Sequence, residues 1–378
     1  MPSGPAVEIQ LASIEKAWKR YGGADMWLQL RTGDGTLEDF ASAAAELNDE
    51  AEADGVESVW AEAPSSAPAG FVVLLTHCAD REELRRWISE FAGRLERRGL
   101  SGKLQPTPPV RYPDWLSGAQ PPVPTAFLAW SVDRAAEAAD PYRSSHWHVP
   151  AEATYRIAAL ADRWARLPGA ELRLRYNVYR AAVNLDDASG PLARSLFETG
   201  MAGLEFVDDA GQQATNVAFD VGGTSLFQDI GGTGGWQAQV DRLRAALTAL
   251  PAEVDLGFIR MGIRASVGID SMATVQPLPG IEEYHVRYNT HLLDRYLPDA
   301  HGIQVLRTAH LDRARDLSGW EVTELGEGRF LVQAADLTPW YGAAQPDPDV
   351  LARARADFAS ALLTEEVISA NPPPWRAG

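Results

Sequence analysis

The sequence predicts an α+β protein of two ferredoxin-like sandwiches in tandem, the second with an insertion, followed by a small C-terminal α/β extension. Three observations predict it. The order strand-helix-strand-strand-helix-strand runs over residues 25–107 and again over 125–268. Seven prolines between Pro106 and Pro124 separate the two runs and forbid a regular helix or central strand there. A further region with a hairpin pattern follows a weaker break at Pro277 to Gly280. The expected boundaries are a first domain with an N-terminal helix over 1–107, a linker over 108–124, a second domain over 125–278, an extension over 279–370 and a tail over 371–378. Element order repeats while residue identity does not, so the expectation is a structural duplication.

In the first run, Met26 to Arg31 reads as a strand, and Thr36 three residues before Asp39 starts a helix. Leu37, Phe40, Ala44, Leu47 and Ala51 form that helix's apolar stripe, which stops near Gly55. Val56 to Glu62 alternates as a half-buried strand, Pro64 to Gly70 reads as a turn, and Phe71 to Thr76 as a buried strand. Asp80 caps a second helix striped by Leu84, Trp87, Ile88, Phe91 and Leu95, and Leu100 to Gln105 returns as a strand.

The second run opens with a strand at Thr125 to Val132 and a helix from Ala151 to Leu167. Glu171 to Val183 and Thr215 to Phe227 read as two long strands around an insertion near 184–213. Trp236, Val240, Leu243, Leu247 and Leu250 stripe the second helix, and Asp255 to Val267 is the closing strand. Beyond it, Tyr284 to Asn289 reads as a strand. Trp320 to Leu325 with Arg329 to Ala334 reads as a hairpin across Gly326-Glu327-Gly328, and Asp349 to Leu363 as a helix.

Composition narrows the function classes. With 378 residues and 46% hydrophobic content the chain has material for more than one core. A net charge of −18 opposes binding to phosphate backbones and to anionic membranes, so neither nucleic acid nor membrane is expected as a partner. Cys78 is the only cysteine, which fits a reducing cytoplasm. Met1 to Gln10 lack a secretion signal, and no stretch approaches 18 uninterrupted apolar residues. The arginine and alanine bias points to a GC-rich, bacterial coding genome.

Few motifs carry chemistry. His146 and His148, two residues apart, would project to one side of an extended chain and are the candidate metal pair, although no third ligand stands at a recognisable spacing. Gly231, Gly232, Gly234 and Gly235 precede a helix and are the candidate ligand-binding loop, offering backbone amides to an anion. His285, His291, His301 and His310 share no helical face. Cys78 follows His77, but neighbours on a strand point apart. Asp220-x-Gly222-Gly223-Thr224 is similar to the first phosphate-binding hairpin of sugar kinases in the actin-like ATPase superfamily. It lies past residue 215, where that hairpin normally opens its domain, and no second nucleotide motif follows. Trp340 and Tyr341, beside Asp336, are the candidate aromatic contact surface.

These residues lead to an acidic cytoplasmic protein-binding module without catalytic activity or cofactor, an immunity-type protein that neutralises a basic partner. The alternative is a metal- or small-molecule-dependent enzyme with its site near His146, His148 and the 231–235 glycine loop.

Overall fold

The computed structural model describes residues 6–372 apart from 21, 24, 56–58, 68, 108–120, 132–146, 168–169, 177–178, 183–184, 201, 209–212, 221–222, 232–233, 250–251 and 263–288. The chain is a mixed α+β protein with two sheets. It divides into two compact units, Met1–Arg111 with Glu171–Arg194, and Tyr112–Ala170 with Ser195–Gly378.

The first unit begins with β1 (Val7–Ile9) and α1 (Leu11–Arg20), ahead of β2 (Met26–Arg31), α2 (Leu37–Asp54), β3 (Trp60–Ala67), β4 (Gly70–Thr76), α3 (Arg81–Arg97) and β5 (Gly102–Pro106). Its sheet runs β1-β5-β2-β4-β3, parallel at β1 and β5 and antiparallel elsewhere. Both helix starts follow the capping residues read from the sequence: Thr36 Oγ1 accepts the Asp39 N–H at 3.1 Å, and Asp80 Oδ1 accepts that of Glu83 at 2.8 Å. Gly55 ends α2 at φ 62°, a left-handed conformation that glycine adopts without a Cβ clash.

One face of this sheet, with Met26, Leu28, Leu30, Phe71, Val73 and Leu75, joins Phe40 and Leu47 of α2 and Leu84, Ile88 and Phe91 of α3 in a single core. Phe40 stacks on Phe71 and meets Phe91 edge-on, each at 5.3 Å. Arg94 ties α3 to α2 through Glu46 at 2.9 Å and Glu50 at 2.5 Å. Two details differ from the sequence reading. Pro64 lies within β3 instead of a turn, accommodated by a register shift between Glu62 and Ser65. The unit also includes the antiparallel hairpin of β7 (Glu171–Tyr176) and β8 (Tyr179–Ala182), where one long strand was expected.

In the second unit, β6 (Val123–Trp130) leads to α4 (Ala151–Ala165). The insertion holds α5 (Ser189–Thr199) and β9 (Ala202–Asp208). Thr215 to Phe227 is two strands, β10 (Gln213–Asp220) and β11 (Thr224–Gly231), because Gly223 at φ 77° reverses the chain between them. After α6 (Gly235–Thr248) come β12 (Val254–Gly262), β13 (Ile303–Arg307), α7 (Thr308–Leu311), β14 (Trp320–Gly326), β15 (Arg329–Ala334), α8 (Thr338–Tyr341), α9 (Pro348–Asp357) and α10 (Glu365–Ala370). The expected hairpin is β14 and β15, while most of the strand read at 284–289 lies outside the described residues.

Within this unit eight strands lie in the order β14-β15-β13-β12-β6-β11-β10-β9, every neighbouring pair antiparallel. The extension read at 279–370 therefore adds three strands to the sheet that holds β12. Helices α4 and α6 pack on one face: Trp164 meets Phe227 at 5.0 Å, and Arg242 lies 4.7 Å over the Trp164 ring while pairing with Asp229 at 2.8 Å. Gly257 of β12 leaves room for Leu247 of α6, since a Cβ there would stand 3.0 Å from Leu128 and 3.3 Å from Leu247.

Candidate functional site

Trp340 and Tyr341 are core residues, 2% and 1% exposed. Tyr341 donates its hydroxyl to the Ile259 carbonyl at 2.9 Å and lies 6.2 Å from Trp236. Gly302 passes so close beneath Trp340 that a Cβ would fall 2.5 Å from its ring. The short helix α8 thus plugs the second unit and presents neither aromatic to a partner.

His146 lies outside the described residues, and His148 is half-buried just ahead of α4. Between them Trp147 is an anchor, its Nε1 donating to Thr154 Oγ1 at 2.9 Å and its ring meeting Phe219 edge-on at 5.6 Å. Among the described residues no group of three or more His, Cys, Asp or Glu could hold a metal ion. Gly231 ends β11, Gly232 lies outside the described residues, and Gly234 and Gly235 form the start of α6 with no side-chain cap. Cys78 is buried, and that burial pushes its thiol up to about 12, which removes the thiolate a nucleophile needs.

The histidines of the C-terminal region are structural where they are described. His301 stacks flat on Phe258 at 3.9 Å, and burial brings its pKa down to about 3. His310 accepts the Arg307 N–H on Nδ1 at 3.0 Å, so its proton sits on Nε2 and goes to the Leu293 carbonyl at 3.1 Å. Burial holds it near 4.

Two features escaped the sequence reading. Glu205, Asn216, Gln228, Thr125 and Arg260 form one cross-strand row over β9, β10, β11, β6 and β12, on the face away from α4 and α6. The first four are buried, and Gln228 Nε2 donates to Thr125 Oγ1 at 2.8 Å. The strand at Thr215 to Phe227 was visible in sequence, but the row appears only once four registers are set.

The second feature is β14. It ends the sheet, bonded to β15 alone among the described residues, and Glu321, Val322, Thr323 and Glu324 are all exposed in succession. Trp320 fixes its start, donating to Asp357 at 3.0 Å and packing edge-on against Phe358 at 5.0 Å. Both edges of the first unit's sheet are less open: β1 has three residues, and β3 carries Pro64 and a bulge.

Beside β14 lies an open cleft of about 340 Å³, lined by Asp241, Arg244 and Thr248 of α6 and by Glu321, Thr323 and Gln333 of the hairpin. A polar chain crosses it: Asp241 pairs with Arg244 at 2.6 Å, Arg244 donates to Gln333 at 3.1 Å, and Gln333 donates to Glu321 at 3.2 Å. Both acids are more than half exposed or face solvent, which leaves carboxylate oxygens open to an incoming cation.

No helix of the described residues is long and apolar enough to cross a membrane. No protein-family model matches this sequence, and no curated protein resembles it.

Proposed function

We propose that this chain is a non-catalytic docking protein of the immunity type, which adds an extended, basic segment of a partner protein to the open edge of β14. The observation that carries the reading is the exposed run Glu321-Val322-Thr323-Glu324 on a terminal strand. A strand edge offers unpaired N–H and C=O groups, and an added strand satisfies them by the hydrogen bonds that built the sheet. Side chains of the added strand alternate, so every second one enters the cleft between α6 and β14. There Asp241 and Glu321 favour lysine or arginine. A second copy of this chain fits poorly, because edge-to-edge pairing would set Glu321 and Glu324 of the two copies against each other. The overall charge of −18 speeds encounter with a basic partner at low salt.

The same proposal takes both units as elaborated ferredoxin-like sandwiches. Strand order supports it: β5-β2-β4-β3 and β12-β6-β11-β10 both read fourth, first, third, second, with every neighbour antiparallel. A single buried thiol supports a reducing, cytoplasmic setting.

The test is titration with two extended peptides, one alternating lysine and threonine, the other glutamate and threonine. The lysine peptide is expected to bind with an affinity that falls as salt rises, and the Glu321→Lys/Glu324→Lys variant to lose it. Equal binding of both peptides, or binding unchanged in that variant, contradicts the reading.

A further inference from the structure

We propose that the exposed face of α4 is a dimer interface, where a second copy of this chain packs its own α4 antiparallel against the first across a two-fold axis. The face is one helical stripe. Glu152, Tyr155, Ala159 and Arg163 recur at i, i+3, i+7 and i+11; three are exposed and Ala159 is half-buried. Ile157, Ala161 and Ala165 are buried on the other side of the helix, so α4 has a fixed inside and an open outside.

Two observations mark this stripe as a contact surface. The first is apolar area left in water. Four large apolar side chains are exposed among the described residues, Leu11, Tyr155, Phe197 and Val322, and two of them meet here. The Tyr155 ring, 53% exposed, lies 5.8 Å from the Phe197 ring of α5. Covering two neighbouring aromatic rings on separate helices is favourable, and such patches are where proteins bind one another. The second observation is charge. Arg163 is exposed and forms no ion pair among the described residues. Glu152 keeps 90% of its side chain in water although Arg156 pairs with it at 3.0 Å, which leaves it open to a second cation.

The symmetry of the stripe identifies the occupant. In a two-fold contact, residue i of one copy meets residue j of the other while j meets i. An axis between Tyr155 and Ala159 sets each Tyr155 ring over the other copy's Ala159, whose small side chain lets the helices approach. Glu152 lies five residues before position 157 and Arg163 six after it, about 7–9 Å each way along the helix. The same axis therefore brings each Glu152 against the other copy's Arg163. An acidic partner of another kind would meet Glu152, and a basic one Arg156 and Arg163, whereas a second copy suits both ends. Two chains of net charge −18 repel, and the excess of cations on this stripe, Arg156 and Arg163 against Glu152, offsets that locally. One stripe and one further ring cover less than a standard interface, so the dimer is reversible and forms at high protein concentration.

Sedimentation equilibrium of the full chain over about a hundredfold range of concentration tests it. The natural chain is expected to pass from monomer to dimer as concentration rises. Glu152→Arg leaves cations at both ends of the stripe and Arg163→Glu leaves acids at both, so each variant alone is expected to dimerise at least about tenfold more weakly. Mixed in equal amounts, the two variants are complementary at both contacts and are expected to dimerise as the natural chain does, an outcome that misfolded variants cannot produce. A natural chain that stays monomeric throughout, single variants that dimerise unchanged, or a mixture that stays monomeric would each overturn the proposal. Glu321→Lys/Glu324→Lys is expected to dimerise normally, which separates this interface from docking at β14.

Discussion

Glu321 of β14 and Gln333 of β15 stand directly opposite each other and share a hydrogen bond of 3.2 Å, Gln333 Nε2 donating. Gln333 in turn accepts from Arg244 of α6 at 3.1 Å, so one side chain couples the exposed edge strand to the helix beside it. Gln333→Leu should leave the fold in place and free the Glu321 side chain to move. The expected result is weaker docking of a lysine-bearing strand, by about threefold to tenfold for one or two exposed charge-assisted bonds, with stability changed by no more than about 0.5 kcal/mol. Parallel titrations and denaturant melts of the two proteins check it.

Acid should destabilise the protein through two buried imidazoles. His301 and His310 are held near 3 and 4, below the value of about 6.5 that histidine has in an unfolded chain. Below pH 6.5 the unfolded state therefore binds protons that the folded state refuses, and stability falls as pH drops toward 4. The slope is about 1.4 kcal/mol per pH unit for each histidine. Glu15, held to about 2 by Arg81 and Arg85, adds a loss only below its ordinary 4.5. Urea melts at half-unit steps from pH 7.5 to 4.5 measure the slope, and a His310→Asn variant should show about half of it between pH 6 and 5.

Arg355 of α9 grips Asp299 with two hydrogen bonds, Nε to Oδ1 at 2.8 Å and a terminal nitrogen to Oδ2 at 2.6 Å. Asp299 also accepts the Ala300 N–H at 2.8 Å, so it fixes the turn leading into β13. Arg355 keeps part of its surface in water, which reduces what the pair contributes. Asp299→Ala is expected to cost about 2 kcal/mol by thermal melting, more than Arg355→Ala, because the buried acid also accepts the Ala300 N–H.

Gly302 tests the close approach of α8. A Cβ there would meet Trp340 Cγ at 2.5 Å and Cδ2 at 2.8 Å, atoms of a rigid ring with no room to rotate away. Gly302→Ala should destabilise by about 1–3 kcal/mol and shift Trp340 fluorescence.

What the sequence revealed and what it hid divide along physical lines. Helix starts at Thr36 and Asp80 were legible because a capping side chain acts on a backbone amide three residues away. The β14–β15 hairpin was legible from its glycines for the same local reason. By contrast, Thr215 to Phe227 read as one strand because alternation continues through a tight turn when the turn has few residues. Trp340 and Tyr341 read as a surface because the acidic Asp336 stands near them in sequence, whereas their burial depends on Gly302 and Ile259, far away in sequence. The edge position of β14 and the row joining Glu205 to Arg260 are properties of strand order and register, which no local pattern encodes.

The central claim is that β14 receives an added strand, and amide hydrogen exchange tests it most directly. Residues 320–326 are followed with and without a saturating lysine-threonine peptide. New protection confined to alternate amides of β14 is the expected result, since only the outward-facing N–H groups gain partners. Binding that leaves every β14 amide exchanging at its free rate would contradict the account.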